Sequence, residues 1–179
     1  LRVQGTLDTD GNDVTLRSYE TLHIDGDGGV NTMGALLTLA AVEDVNISST
    51  LDTQNGDMLA IGRNVSILED AALNMGTGAL RINAQDNASI TGITSSNNAS
   101  CAASQTGCAV TILATNIQDG GDVSADINLL GNGGLRLGAH QYVNVNDVQH
   151  SGSSPLQLEI GGKNNGARGV AAMVSVTTN

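Results

Sequence analysis

Apolar residues in this chain come in short alternating bursts separated by polar turns. Residues 34–58 (GALLTLAAVEDVNISSTLDTQNGDM) show the unit most clearly. Leu37-x-Leu39 is followed by Val45-x-Ile47, then by a lone Leu51, and the stretch closes on a turn rich in Asp, Asn and Gly. A period of two predicts strands with one buried face. Each apolar run is too short for a helix.

The unit recurs. First pairs begin at Val14, Leu37, Leu59, Leu80, Val110, Leu135 and Leu156, at intervals of 23, 22, 21, 30, 25 and 21 residues. Second pairs follow at Leu22-x-Ile24, Val45-x-Ile47, Val65-x-Ile67, Ala88-x-Ile90 and Val143-x-Val145, with single apolar residues at Leu51, Leu73, Ile93 and Val148. GTLDT at 5–9 is echoed by STLDT at 49–53. A 20–30-residue period with two or three short strands and no helix predicts an all-β solenoid, a parallel β-helix with one coil per repeat. Coils of about 21–25 residues, roughly eight of them, give a rod of about 38 Å at the strand spacing. The whole chain, 1–179, reads as a single β-helix segment cut from a longer protein, since strand-like sequence opens at Leu1-x-Val3 and persists to Val174-x-Val176.

Two places break the period. Residues 94–109 (TSSNNASCAASQTGCA) lack a strand pattern and predict a loop bulging from one coil. Within 113–134, Ile117, Val123 and Ile127-x-Leu129 offer competing registers. GGKNNGARG at 161–169 reads as a further polar loop.

Composition supports a narrow interior. There are 23 Gly, one Pro, two Tyr and neither Phe nor Trp, so any core is filled by aliphatic side chains. Although Gly-rich and aromatic-poor sequence can signal disorder, 40% hydrophobic residues in regular alternation argue against it. The formal charge of −11, with one lysine and six arginines, is wrong for nucleic acid and for anionic membranes. No run of 18 apolar residues is present, so no transmembrane helix or membrane insertion is expected.

The candidate chemistry is thin. DTDGND at 8–13 resembles part of a calcium loop, but its glycine falls at position four and the twelfth-position glutamate is missing. In the equivalent turn at 52–57 Asp10 is replaced by Gln54, so an Asp/Asn turn is the better reading, as it is for DGDGG at 25–29. His23, His140 and His150 fall in different coils, and His23, between Leu22 and Ile24, is expected to face outward. No catalytic residue, metal ligand or cofactor is assigned. A glycan-cleaving β-helix needs clustered carboxylates and sugar-stacking aromatics, and only Tyr19 and Tyr142 supply the latter. Asn-x-Ser sequons at Asn46, Asn64, Asn87 and Asn98 are about as many as chance gives in a chain with 18 Asn. Cys101 and Cys108 are spaced for a local disulfide contributing roughly 2–3 kcal/mol and favouring an oxidising compartment. Two reduced thiols are the alternative.

G-x-L-x-L-x-A, then V-x-I, then T-L-D-T and an N-G turn, as at residues 34–58, resembles the filamentous haemagglutinin-like repeats of two-partner secretion exoproteins of Gram-negative bacteria. The resemblance extends loosely over 1–160. It implies a right-handed parallel β-helix, export through an outer-membrane transporter, and service as an extracellular or cell-surface fibre. The cysteine pair departs from the usual cysteine-poor pattern of such proteins. The expected function is therefore attachment, in biofilm or host adhesion, through surface glycans or receptors or copies of itself. The insert at 94–109 and the outward polar faces are the expected contacts. A passive stalk carrying a toxin or tip domain is the alternative, and a glycan-cleaving enzyme a weaker one.

Overall fold

The computed structural model describes residues 1–25, 29–68, 71–97, 109–120, 126–151, 156–160 and 171–178. All regular structure among them is β, and every strand pairing is parallel. The strands stack as a β-solenoid with three faces, so each strand pairs with its counterparts one turn before and after. Six complete turns begin at Val14, Leu37, Met58, Leu80, Val110 and Leu135. A partial turn, Arg2–Gln4 and Leu7–Asp8, precedes them, and Leu156–Ile160 with Ala171–Thr178 follows.

Face I stacks Val14–Ser18 on Leu37–Ala41 and continues through the first halves of Met58–Ile67, Leu80–Ile90, Val110–Asp119 and Leu135–His150. Face II runs from Arg2–Gln4 through Leu22–Asp25 and Asp44–Ile47 into the later parts of the same long strands. Face III has short strands, from Leu7–Asp8 and Val30–Asn31 through Ile127–Leu129 to the last residues of Leu135–His150 and Ala171–Thr178.

Alternation fills the interior as columns. Leu37 and Leu39, Leu80 and Ile82, Val110 and Ile112 point in from face I, and Leu22, Ile24, Val45, Ile47, Val65 and Ile67 from face II. Leu51, Leu73, Ile93, Ile127 and Val148 close the third side. Every one of these is essentially inaccessible to water. Val3, Leu7, Val14 and Leu16, on the outermost described turns, pack on one side only and are partly buried. Side chains of one turn rest on those of the next about 4.8 Å away, a spacing suited to branched aliphatics.

Two expectations are corrected. The third face I pair is Met58-x-Ala60, not Leu59-x-Ile61: Met58 aligns with Leu37 and Leu80, and Ile61 is 40% exposed. Thr94 and Ser95 belong not to a loop but to the strand Ile93–Ser95, which pairs with Leu73–Asn74 and Ile127–Leu129. Ser95 and Ala109 are buried on the two sides of the insert. Residues 98–108 of that loop, with Cys101 and Cys108, lie outside the described residues, as do Val123 and residues 161–169. The ambiguous stretch resolves into Ile117 on face II, aligned with Ala88 and Val143, and Ile127-x-Leu129 on face III.

The Asp/Asn turns between faces III and I explain the acidic motifs. Asn31 and Asp52 accept hydrogen bonds from the Met33 and Gln54 amides, at 3.2 and 2.9 Å. Asp10, Met33, Gln54 and Gly76 sit two residues after the aligned series Asp8, Asn31, Asp52 and Asn74, and all four are left-handed, with φ of 51°, 50°, 47° and 54°. Asp13 and Asp57 accept from the backbone amides of Leu36 and Ala79, one turn on, at 2.9 and 2.8 Å. DTDGND is thus one copy of a repeated turn whose polar side chains hold backbone N–H groups. Inside each turn Thr9, Thr32 and Thr53 stack, and the Thr32 hydroxyl lies 2.9 and 3.1 Å from the Ala35 and Thr53 carbonyls.

Candidate functional site

The residues singled out in the sequence do not converge. His23 is half-buried on the outer side of face II, as its alternation predicts, while His140 is exposed at the corner between faces I and II. His150 points inward on face III, 5% exposed, aligned with Leu129, and its Nε2 has no hydrogen-bond partner among the described residues. No group of three or more His, Cys, Asp and Glu side chains placed to share a metal ion occurs among the described residues. Asp25, at the start of DGDGG, pairs with Arg2 at 2.8 Å. That contact is more than half exposed on the arginine side and adds little stability.

Three sequon asparagines are placed. Asn64 and Asn87 form a ladder up face II. Asn64 Nδ2 donates to Asp44 at 2.8 Å, Asn87 Nδ2 to Asn64 Oδ1 at 2.8 Å, and Asn116 Nδ2 to Asn87 Oδ1 at 2.9 Å. Their side-chain nitrogens are engaged and half-buried, which makes them poor glycan acceptors. Asn46 lies outside the ladder on the same face, and Asn98 lies outside the described residues. The series ends at Tyr142, which aligns with Asn116 and turns its hydroxyl to Gln118 Oε1 at 2.8 Å. Sequence reading missed this ladder because its members are 20, 23 and 29 residues apart. Once the register is known, Asp44, Asn64, Asn87 and Asn116 fall on one line.

Asn87→Ala removes a donor to Asn64 and an acceptor for Asn116 together. We expect a loss of about 2 kcal/mol, read from the urea midpoint. Asn46→Ala, off the ladder, should stay within about 0.5 kcal/mol. Equal midpoints for the two variants would show that the ladder contributes nothing.

A concavity follows the corner between faces I and II, parallel to the solenoid axis. A groove of about 760 Å³ crosses turns 2 to 6, and a smaller hollow of about 300 Å³ continues it to turn 1, sharing Ala41 and Val42. Its floor is small because the corner is built from Ala41, Gly62, Ala84, Ala114 and Ala139. Gly62 has no room for a side chain: a Cβ there would lie 2.7 Å from the Asn64 carbonyl oxygen and 3.1 Å from that of Glu43. The walls carry Val42 and Ile61, 58% and 40% exposed, with Asn83 and Gln85. Tyr19, 94% exposed, stands at the turn 1 end and His140 at the other. Arg17 and Arg63 line the groove, and Arg63 is held by Glu43 at 2.6 Å.

Face I beside the groove has a charge bias opposite to that of the chain. Its strands in turns 1 to 6 hold Arg17, Arg81 and Arg136 and no acidic residue, although the chain has 18 Asp and Glu against seven Lys and Arg. Among the described residues the acids of these six turns lie between the faces and on the other two faces, whereas the next face I strand, Leu156–Ile160, carries Glu159, aligned with Gly138. Sequence reading missed this sorting too, since it needs the assignment of strands to faces. No protein-family model, curated protein or solved structure matches the chain.

Proposed function

We propose that this chain is a segment of an extracellular adhesive fibre that mediates attachment of cells to one another or to surfaces. The observation that carries this reading is the stack itself. Six complete turns repeat one cross-section without interruption of the core, and their outward columns present long, periodic polar faces. A solenoid of this kind spaces a contact surface away from its anchor and offers it along its whole length. The resemblance of residues 34–58 to filamentous haemagglutinin-like repeats supports the same reading, with export through an outer-membrane transporter.

Attachment is tested by coating beads with the purified chain and counting retained bacterial and epithelial cells. Beads coated with an unrelated β-solenoid of similar net charge are the comparison. Several-fold greater retention on the test beads is expected. Equal retention would reject adhesion by this segment and leave it as a stalk.

A further inference from the structure

We propose that the corner groove binds an acidic polysaccharide, a uronate-bearing chain lying parallel to the solenoid axis. The inference rests on the adhesive reading for its biological sense, but its physical grounds are separate.

Shape comes first. From Tyr19 in turn 1 to His140 in turn 6 the groove spans five strand spacings, about 24 Å, which suits an oligomer better than a small molecule. It is shallow and floored by alanine and glycine, so it accepts flat rings and offers no deep pocket for a large side-chain anchor. The strands beneath it are paired with the turns before and after, as Leu80–Ile90 is with Met58–Ile67 and Val110–Asp119. A peptide therefore finds no free strand edge here to extend.

Charge selects the class of chain. Arg17, in the lining of the turn 1 hollow, and Arg81, on the face I strand beside the groove but outside its lining, are exposed and make no ion pair among the described residues. No acid interrupts the face I strands of turns 1 to 6, and Glu159 comes only in the strand after them. An arginine fork receives a carboxylate through two parallel N–H donors, which a lysine cannot do. Asn83 and Gln85 supply amides for sugar hydroxyls, and Tyr19 supplies a ring face for stacking. Nucleic acid is disfavoured by its denser charge, by the chain's −11, and by Glu20, Glu43 and Asp86 on the turns that border the groove.

The test is fluorescence polarisation of the chain with labelled oligogalacturonate at low and high salt. Binding that weakens with salt is expected, with at least about tenfold loss in the exposed-site variant R17S/R81S and partial recovery in R17K/R81K. Ala41→Trp, at the junction of the two hollows, should block binding while circular dichroism stays unchanged. Binding of methyl-esterified oligogalacturonate or of polyglutamate as tight as that of the free uronate would overturn the proposal. So would undiminished binding by R17S/R81S, or no binding at all. Bead attachment without uronate binding removes the groove ligand and spares the adhesive reading; uronate binding without attachment does the reverse.

Discussion

Gly78→Ala should cost at least about 3 kcal/mol, seen as a fall of roughly 6–12 °C in Tm. The reason is the spacing between turns, not backbone freedom. Gly56 and Gly78 occupy the same corner of successive turns, between faces III and I, and each lies against the backbone one turn below. A Cβ on Gly78 would fall on the carbonyl group of Gly56, and a Cβ on Gly56 on that of Ala35. These obstacles are backbone, so they cannot be relieved by turning a side chain. The turns must separate locally, which stretches hydrogen bonds such as Met58 N–H to the Ala79 carbonyl, 2.8 Å, and breaks the contact between stacked aliphatics. Retention of wild-type Tm would mean that the turns are not packed this closely.

Ile82→Ala should be about as damaging, near 4 kcal/mol by urea denaturation. Ile82 is fully buried and stacks between Ala60 and Ile112. Because Ala60 is already small, truncating Ile82 puts two alanines in sequence along one column and leaves a continuous hole. The neighbouring turns are held by the strand ladder and cannot collapse to fill it. The same change at Leu137, 2% exposed and nearer the end of the described stack, should cost less. A loss at Ile82 below about 1 kcal/mol would show a core loose enough to repack, contrary to the column packing described above.

The architecture was legible because strand alternation and turn chemistry repeat together. Val45-x-Ile47, Val65-x-Ile67 and Ala88-x-Ile90 were found in phase because polar residues stand between and around their apolar members. At Met58-Leu59-Ala60-Ile61 both phases are apolar, and the more hydrophobic one, Leu59-x-Ile61, is the outward one. Hydrophobicity alone picks the wrong face there. Spacing would have corrected it: face I leads face II by eight residues from Leu37 to Val45 and from Leu80 to Ala88. The step is seven from Met58 to Val65, but only six from Leu59. Thr94 and Ser95 were missed because a face III strand needs only one strongly apolar residue, here Ile93, and the rest can be polar.

The groove was much less legible than the fold. Its floor is alanine and glycine, which carry no motif, and its functional side chains come from different turns. Arg17 and Asn83 fall on one column only after four turns have been laid in register. The same holds for the asparagine ladder, whose members have ordinary surroundings in the sequence. The acidic turns were easier to find but easier to misread, since a carboxylate that caps a backbone amide and one that holds calcium favour the same residue types.

Cross-linking of the register tests the central claim most directly. Ser66 and Ser89 are aligned on the outer side of face II in adjacent turns, and Gln118 lies one turn further on. Cysteines at 66 and 89, in a background with Cys101 and Cys108 replaced by serine, should form a disulfide readily, because adjacent strands stand about 4.8 Å apart. Cysteines at 66 and 118, about 9.6 Å apart by the same spacing, should not. Efficient closure of the first pair and failure of the second is the result a stacked solenoid predicts. Failure of the first pair, or equal closure of both, would contradict it.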